Sequence, residues 1–444
     1  MLRISILCRV ILIGACVGAA AERADAQPAE PAAPPAEQQP VATRSVGPNV
    51  PPELPASVYR ARRDRLAAAL GPCVGVIKAH PQPDGGIDEY FYYLTGIDES
   101  EAQLMLAPRE PIYQQTLALR PRDPELEIWE GYREPMSPAL AKRFQVDLVT
   151  RTRGPLPRRF GRALSRSRCY ATLRPGYEKT EDVPADVLGQ YLGAYGARTE
   201  QRWQQLERLR AVHDAAAIAL MDKAIAITIE GHRAAARELR AGVRERLVAS
   251  KIEDAFFDFG ATGLAFPSIV GAGPNGAILH WEKRNRIVQA DDLVVIDIGS
   301  AYGRYASDLT RTYPVSGTFS AEQRKVYEVV LAAQEKALAA VRPGVSLDQL
   351  NKIAEDVIIA AGYEPAHYVG HFVGLNVHDI GDNTGPLEAG MVITIEPGVY
   401  LEGKFGVRIE DMVLVTARGG KLMSADLPRK VSEVEAWMRK ARGR

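Results

Sequence analysis

VVIDIGSAYGRYASDLTR, Val294 to Arg311, sets the reading of this chain. An unbroken apolar run, Leu293-Val294-Val295-Ile296, ends in a carboxylate, Asp297. A glycine-containing turn follows, and a second short extended run brings Asp308. An apolar run of this kind predicts a strand buried on both faces. A carboxylate at the end of such a strand is costly unless something neutralises it. Taken singly, either aspartate is explained by an ion pair with Arg304 or Arg311. Taken together they gain meaning from three segments downstream.

HYVGHFVGLNVHD (His367 to Asp379), VITIEPGVY (Val392 to Tyr400) and GVRIED (Gly406 to Asp411) repeat the theme. Each sets a His, Glu or Asp at a strand end or a glycine-rich turn. The third puts Glu410 on a strand predicted to run on through Met412-Val413-Leu414-Val415. Four carboxylates and one imidazole, Asp297, Asp308, Glu396, Glu410 and His371, form an oxygen-rich donor set. Such a set suits two divalent ions, manganese first, with zinc or cobalt as alternatives. Two such ions offset the four carboxylates, and a hydroxide bridging them would be a nucleophile near neutral pH.

In this order and spacing the five residues resemble the ligands of the pita-bread metallopeptidases, the family of methionine aminopeptidase, prolidase and aminopeptidase P. The strongest resemblance is to aminopeptidase P, the Xaa-Pro aminopeptidases. It rests on FPSIVGAGPNGAILHWEKRN (Phe266 to Asn285), on YASDLTRTYPVSGTFSAEQRKVYEVVL (Tyr305 to Leu331) and on the HFVGLNVHD and GVRIED segments. It extends from about Tyr59 to the C-terminus. The implied fold is α/β (α+β), an N-terminal α/β domain followed by a pita-bread catalytic domain. The implied activity is hydrolysis of the bond before proline in X-Pro-Y peptides by a metal-bridged hydroxide. The alternatives are a prolidase restricted to X-Pro dipeptides and a non-catalytic peptide-binding homologue.

The resemblance also assigns roles. His280, closing NGAILHW, would contact substrate. His378 would stabilise charge on the scissile carbonyl. Glu396 would serve as ligand and proton shuttle, His367 would line the proline pocket, and Arg408 would lie near the far end of the substrate. Asn376 departs from the pattern, since relatives often carry Asp there. It is not a ligand, so the expected effect is a small adjustment around the site. The family also implies a homo-oligomer, dimer or tetramer.

The rest of the chain frames this core. Arg3 and Arg9, an apolar stretch from Val10 to Ala21 and the small-residue site Ala24-Asp25-Ala26 read as a signal peptide over residues 1–26. The stretch is too short to span a bilayer, so the mature chain is expected in the periplasm or outside the cell. Cys16 leaves a lipid-anchored variant open. Residues 27–55 form a Pro/Ala-rich linker without the apolar content of a core. Formal net charge is zero over 444 residues, which argues against nucleic acid or an anionic membrane as partner. The arginines from Arg143 to Arg168 read as a solvated face. Cys8 and Cys16 leave with the signal, so Cys73 and Cys169 remain. Their spacing is not of a metal-binding type, and the sequence leaves open whether they pair.

Residues 56–203 are expected to form the first domain, with strands at Cys73–Ala79, Tyr90–Ile97 and Gln103–Ala107 and a helix capped by Ser137 with Pro138 following. FYYLTG and RPRDPELEIWEGYR (Arg120 to Arg133) resemble the N-terminal domain of aminopeptidase P and prolidase, which methionine aminopeptidases lack. In the family it shapes the substrate entrance. The catalytic domain, residues 204–444, should open with a long helix over Leu206–Glu230 and a second over Val243–Phe257. Ser320 with Gln323, and Ser346 with Gln349, have the form of capping boxes starting two more helices.

Overall fold

A computed structural model describes residues 54–82, 88–152, 156–175, 182–183 and 185–443. The expected signal peptide and nearly all of the expected linker lie outside these residues. The first part runs α1 (Ala56–Leu70), β1 (Val74–Lys78), α2 (Glu89–Thr95), β2 (Gln103–Leu106), β3 (Gln115–Leu119), α3 (Pro124–Glu130), α4 (Pro138–Phe144), β4 (Leu148–Arg151), α5 (Leu156–Ser167), β5 (Cys169–Thr172), α6 (Ala185–Tyr195) and β6 (Arg198–Gln201). Its six strands make one mixed sheet in the order β4-β3-β2-β1-β5-β6. Cys73 and Cys169, at the starts of the parallel neighbours β1 and β5, form a disulfide with Cα atoms 4.5 Å apart.

The expected strand over Tyr90–Ile97 is the helix α2. Its aromatic residues favour a strand in isolation, but local punctuation favours a helix. The Asp88 side chain accepts the Phe91 N–H at the N-terminus, and Gly96 closes the other end in the left-handed region at φ 69°. Burial of Phe91, Tyr92, Tyr93 and Leu94 then stabilises a short helix that propensity alone would not.

The second part begins with α7 (Trp203–Ala211), α8 (Ala215–Glu238) and α9 (Glu245–Asp258). The single long helix expected from Leu206 is thus two. The break falls at Val212-His213-Asp214, because Asp214 leaves helical geometry to cap α8 through the Ala217 N–H. Leu206 on α7 packs into the core of the first sheet with Leu66, Leu104 and Leu117. This connecting helix therefore binds the two parts together.

Two three-stranded sheets follow from β7 (Gly263–Leu264), β8 (Ile269–Ala272), β9 (Leu293–Ile298), β10 (Ser300–Tyr302), β11 (Tyr305–Ala306) and β12 (Leu309–Pro314), then α10 (Ala321–Ala340) and α11 (Leu347–Ala360). The chain ends with β13 (Val392–Ile395), β14 (Gly398–Leu401), β15 (Phe405–Arg408), β16 (Asp411–Thr416), β17 (Gly419–Leu422) and α12 (Val431–Ala441). All six residues of β9 are buried, as its apolar run predicts, and β9 sits between β8 and β12 with Asp297 opposite Thr310. Both expected capping boxes are present, at Ser320 on α10 and Ser346 on α11.

The strand expected to run unbroken through Glu410 is interrupted. β15 ends at Arg408 and pairs with β14, whereas β16 starts at Asp411 and pairs with β13. The opposing chain breaks at the same level, at Glu396-Pro397. Pro397 has no N–H to donate to a ladder, so pairing cannot run through. One long hairpin is thereby cut in two, with Glu396 and Glu410 at the cut. The Glu410 N–H bonds instead to the Thr310 carbonyl at 3.1 Å, joining this hairpin to the β9–β12 pair.

Candidate active site

A cavity of about 430 Å³ opens over the cut hairpin, lined by Asp297, Asp308, His371, Glu396 and Glu410. His280, His367, His378 and Arg408 line it as well, so every residue given a catalytic, substrate-binding or metal role in the sequence meets in one place. Apolar side chains, among them Phe266, Ile269, Leu279 and Val377, complete the wall.

The acidic cluster is buried and crowded. Asp308, His371 and Glu410 bring donor atoms within 4.8 Å of one another. Burial, then Asp297 and Glu396, push the Asp308 carboxyl well above its usual range. Burial and the Asp308 charge do the same to Glu410, and burial raises Glu396. Neither Arg304 nor Arg311 relieves this, since Arg304 pairs with Asp98 and Arg311 with Asp411. Asp297 Oδ2 accepts from Arg408 Nη2 at 2.6 Å. Asp297 Oδ1 and Asp308 Oδ1 are buried with no hydrogen-bond partner among the described residues.

His371 reinforces the pattern. Its Nδ1 faces the Phe372 carbonyl, which can only accept, so the proton resides there. Nε2 is left to face Asp308 Oδ2 and Glu396 Oε1, each 3.4 Å away. A histidine nitrogen flanked by two carboxylates, and two buried carboxylate oxygens without partners on residues that line one cavity, fit a bound cation. Position comes from packing. A Cβ on Gly370 would lie 2.1 Å from the Thr394 carbonyl oxygen, and the Thr394 hydroxyl accepts the His371 N–H at 3.0 Å. The same hydroxyl donates to Glu396 Oε1, while Thr310 donates to Glu410 Oε2 at 2.7 Å.

Arg408 does not stand free at the far end of the cavity. It is buried, and each guanidinium nitrogen has a protein partner. Nε donates to Thr310, Nη1 to the Tyr400 hydroxyl at 2.8 Å, and Nη2 to Asp297. The Tyr400 hydroxyl then donates to His367 Nε2 at 2.9 Å, because His367 Nδ1 faces the Tyr368 carbonyl. Burial and Arg408 hold the His367 pKa down at about 4, so this histidine is neutral and spent within the wall. His378 differs. Its ring lies 4.1 Å from that of His371 and makes no hydrogen bond to the described residues. Burial, His371 and His280 lower its pKa, which keeps it neutral near pH 7. His280 is exposed at the rim, and Asn376 is not among the cavity-lining residues.

Thr310, Thr394 and Tyr400 were not anticipated. Thr394 precedes Glu396 by two residues, so strand alternation places it beside its acid, and Thr310 follows Asp308 by two, which puts it on the same face although the acid it bonds is Glu410. That spacing is the signal available in the sequence. Tyr400 has no comparable signal, because its partners come from separate turns of the chain.

The model of metallopeptidase family M24 matches residues 219–417, and that of the aminopeptidase P N-terminal domain matches residues 86–168. A Xaa-Pro aminopeptidase of Haemophilus influenzae is 34% identical over 393 residues, 79% of this chain and 88% of its own. A Xaa-Pro dipeptidase of Pyrococcus furiosus is 40% identical over 226 residues, 49% of this chain and 64% of its own. The solved Pseudomonas aeruginosa aminopeptidase PepP superposes with a TM-score of 0.79 at 29% identity, covering 88% of this chain and 100% of that one. Both domains, their order and the cavity are accounted for together: the chain belongs to the Xaa-Pro aminopeptidase family of M24 metallopeptidases.

Proposed function

We propose that this enzyme removes the N-terminal residue from peptides whose second residue is proline, with two divalent ions held by Asp297, Asp308, His371, Glu396 and Glu410. The carrying observation is the convergence of four carboxylates and His371 on one cavity, with Asp297 Oδ1 and Asp308 Oδ1 buried and left without a hydrogen-bond partner among the described residues. The oxygen-rich donor set favours manganese. Bound there, the ions supply an activated water near neutral pH and positive charge against a developing oxyanion. His378, neutral and without a hydrogen bond to the described residues, donates an N–H to the oxygen charge growing on the scissile carbonyl. Glu396, a carboxylate beside the reacting bond, passes a proton to the departing proline nitrogen. His367, whose ring nitrogens are spent on Tyr368 and Tyr400, offers a ring face to proline. His280 meets the substrate at the rim. Proline has no amide N–H and a fixed φ, so an apolar wall that asks for no donor selects it.

Arg408 separates the aminopeptidase reading from the prolidase one. It is the only Arg or Lys among the described cavity-lining residues, and its nitrogens are committed to Asp297, Tyr400 and Thr310. Among the described cavity-lining residues no Arg or Lys is left without a protein partner to meet the carboxylate of an X-Pro dipeptide. The test compares metal-loaded enzyme on matched X-Pro-Y tripeptides and X-Pro dipeptides. The tripeptide should win by at least about tenfold in kcat/KM, the cost of one unmet charge interaction. Equal rates would favour the prolidase reading, and undiminished activity after complete chelation would remove the metal site.

The proposal extends to location and assembly. Cleavage after Ala26 would release a mature chain to the periplasm or beyond, and the Cys73–Cys169 disulfide supports an oxidising compartment. Domain limits of 56–203 and 204–444 are consistent with the first sheet ending at Gln201. Exposed Ile128, Trp129 and Tyr132, on and after α3, favour a homo-oligomer that covers them.

A further inference from the structure

We infer that Arg210, on the connecting helix α7, is a positioning residue for catalysis, acting through Asp379 on His378. The inference rests on the role proposed for His378. That histidine needs an external support, because its own ring makes no hydrogen bond to the described residues and its place is set by the backbone on either side. Asp379 supplies the support. Its Oδ2 accepts the Leu375 N–H at 2.8 Å, and its Oδ1 accepts the Ile380 N–H at 2.8 Å. Its own N–H bonds to the Phe372 carbonyl at 2.9 Å. The carboxylate thus gathers the turn on both sides of His378 into one knot. A Cβ on Gly374 would come within 2.0 Å of Asp379 Oδ2, so the carboxylate fits closely against the turn.

A buried carboxylate holding two backbone amides still needs a counter-charge. Arg210 Nη2 provides it at 2.6 Å, with the side chains of Arg210 and Asp379 only 2% and 5% exposed. Arg210 is itself held by the first part of the fold. Its guanidinium carbon lies 4.6 Å from the centre of the Tyr90 ring on α2, and the Tyr90 hydroxyl donates to Glu207, also on α7. Leu375 packs against the core of the first sheet as well. From the same connecting segment, His213 Nε2 donates to the Val373 carbonyl at 2.9 Å. The N-terminal domain therefore reaches the reaction centre through Tyr90, Arg210 and Asp379, while none of its described residues lines the cavity. Arg210, Asp379 and Tyr90 are absent from its lining.

A double-mutant cycle on the full-length, metal-loaded enzyme tests this. Arg210→Met should lower kcat by about 10–100-fold with little change in KM or bound metal, because a donor displaced by about 1 Å loses most of its effect. In a His378→Ala background the same substitution should change kcat by no more than about twofold, the ordinary scatter between independent sites. Arg210→Lys, which keeps the charge but not the geometry, should recover part of the loss. Equal losses in both backgrounds, or an unchanged kcat with only a lowered melting temperature, would overturn the inference while leaving His378 as the donor. Unchanged kcat in His378→Ala alone would overturn both. Should Arg210→Met fail to fold, Arg210→Met with Asp379→Asn removes both charges and is read in the same cycle.

Discussion

Asp308 carries an electrostatic load that protein groups alone do not remove. Burial and the neighbouring Asp297 and Glu396 favour its protonated form, and Glu410 and Glu396 are displaced in the same direction. Folded-state pKa values above the unfolded ones mean that these groups stabilise the metal-free fold at acid pH. That contribution is lost as pH rises from the ordinary carboxylate range through the raised values. Metal binding reverses the effect, because a cation takes the place of the protons. The rise in melting temperature on adding Mn²⁺ should therefore be larger at about pH 7 than at about pH 5, with protons released on binding. A metal-induced shift independent of pH would contradict the assignment. At this scale the sequence showed the acids and His371, since each closes an apolar run or borders a glycine turn. It did not show how Arg408 is engaged. The Asp297 partner is 111 residues away, and nothing local marks a guanidinium as spent.

Among the elements, legibility followed how local the determining interaction is. The capping boxes at Ser320 and Ser346 were readable because side chain and backbone partners lie three residues apart. β9 was readable because burial on both faces demands a continuous apolar run. The helix α2 was not, because Asp88 and Gly96 had to outweigh four aromatic or branched residues that read as strand. Nor was the cut in the long hairpin, although Pro397 marks one side of it, since Ile409-Glu410 on the other side carries no such mark. The Ser320 box allows a clean test. Ser320→Ala removes the acceptor of the Gln323 N–H at an exposed helix start that is absent from the cavity lining. Stability should fall by about 0.5–2 kcal/mol, read by denaturant titration, while kcat of the folded enzyme stays unchanged. No loss of stability would mean that the cap contributes nothing to the helix in water.

For the molecule as a whole, the disulfide ties the stability of the first sheet to the compartment in which the chain matures. Cys73 and Cys169 are 96 residues apart, so the cross-link closes most of the N-terminal domain into one loop. Closing a loop of that length restricts the unfolded chain by up to about 4.7 kcal/mol in the chain-entropy model, and measured bridges commonly deliver about 2–4 kcal/mol. Neither cysteine lines the cavity, so the bond should act on folding and leave the chemistry alone. Cys73→Ser with Cys169→Ser should lower the unfolding midpoint of the purified enzyme, with kcat per folded molecule retained at low temperature. A reductant should lower the midpoint of the wild-type chain and leave that of the double variant where it is. The same experiment bears on export. Protein recovered from its native compartment should start at Gln27 and expose no free thiol until it is reduced. Free thiols on a chain that retains Met1, or a midpoint unmoved by reduction, would remove the disulfide as a support for export and return its stabilising role to the packing of the sheet.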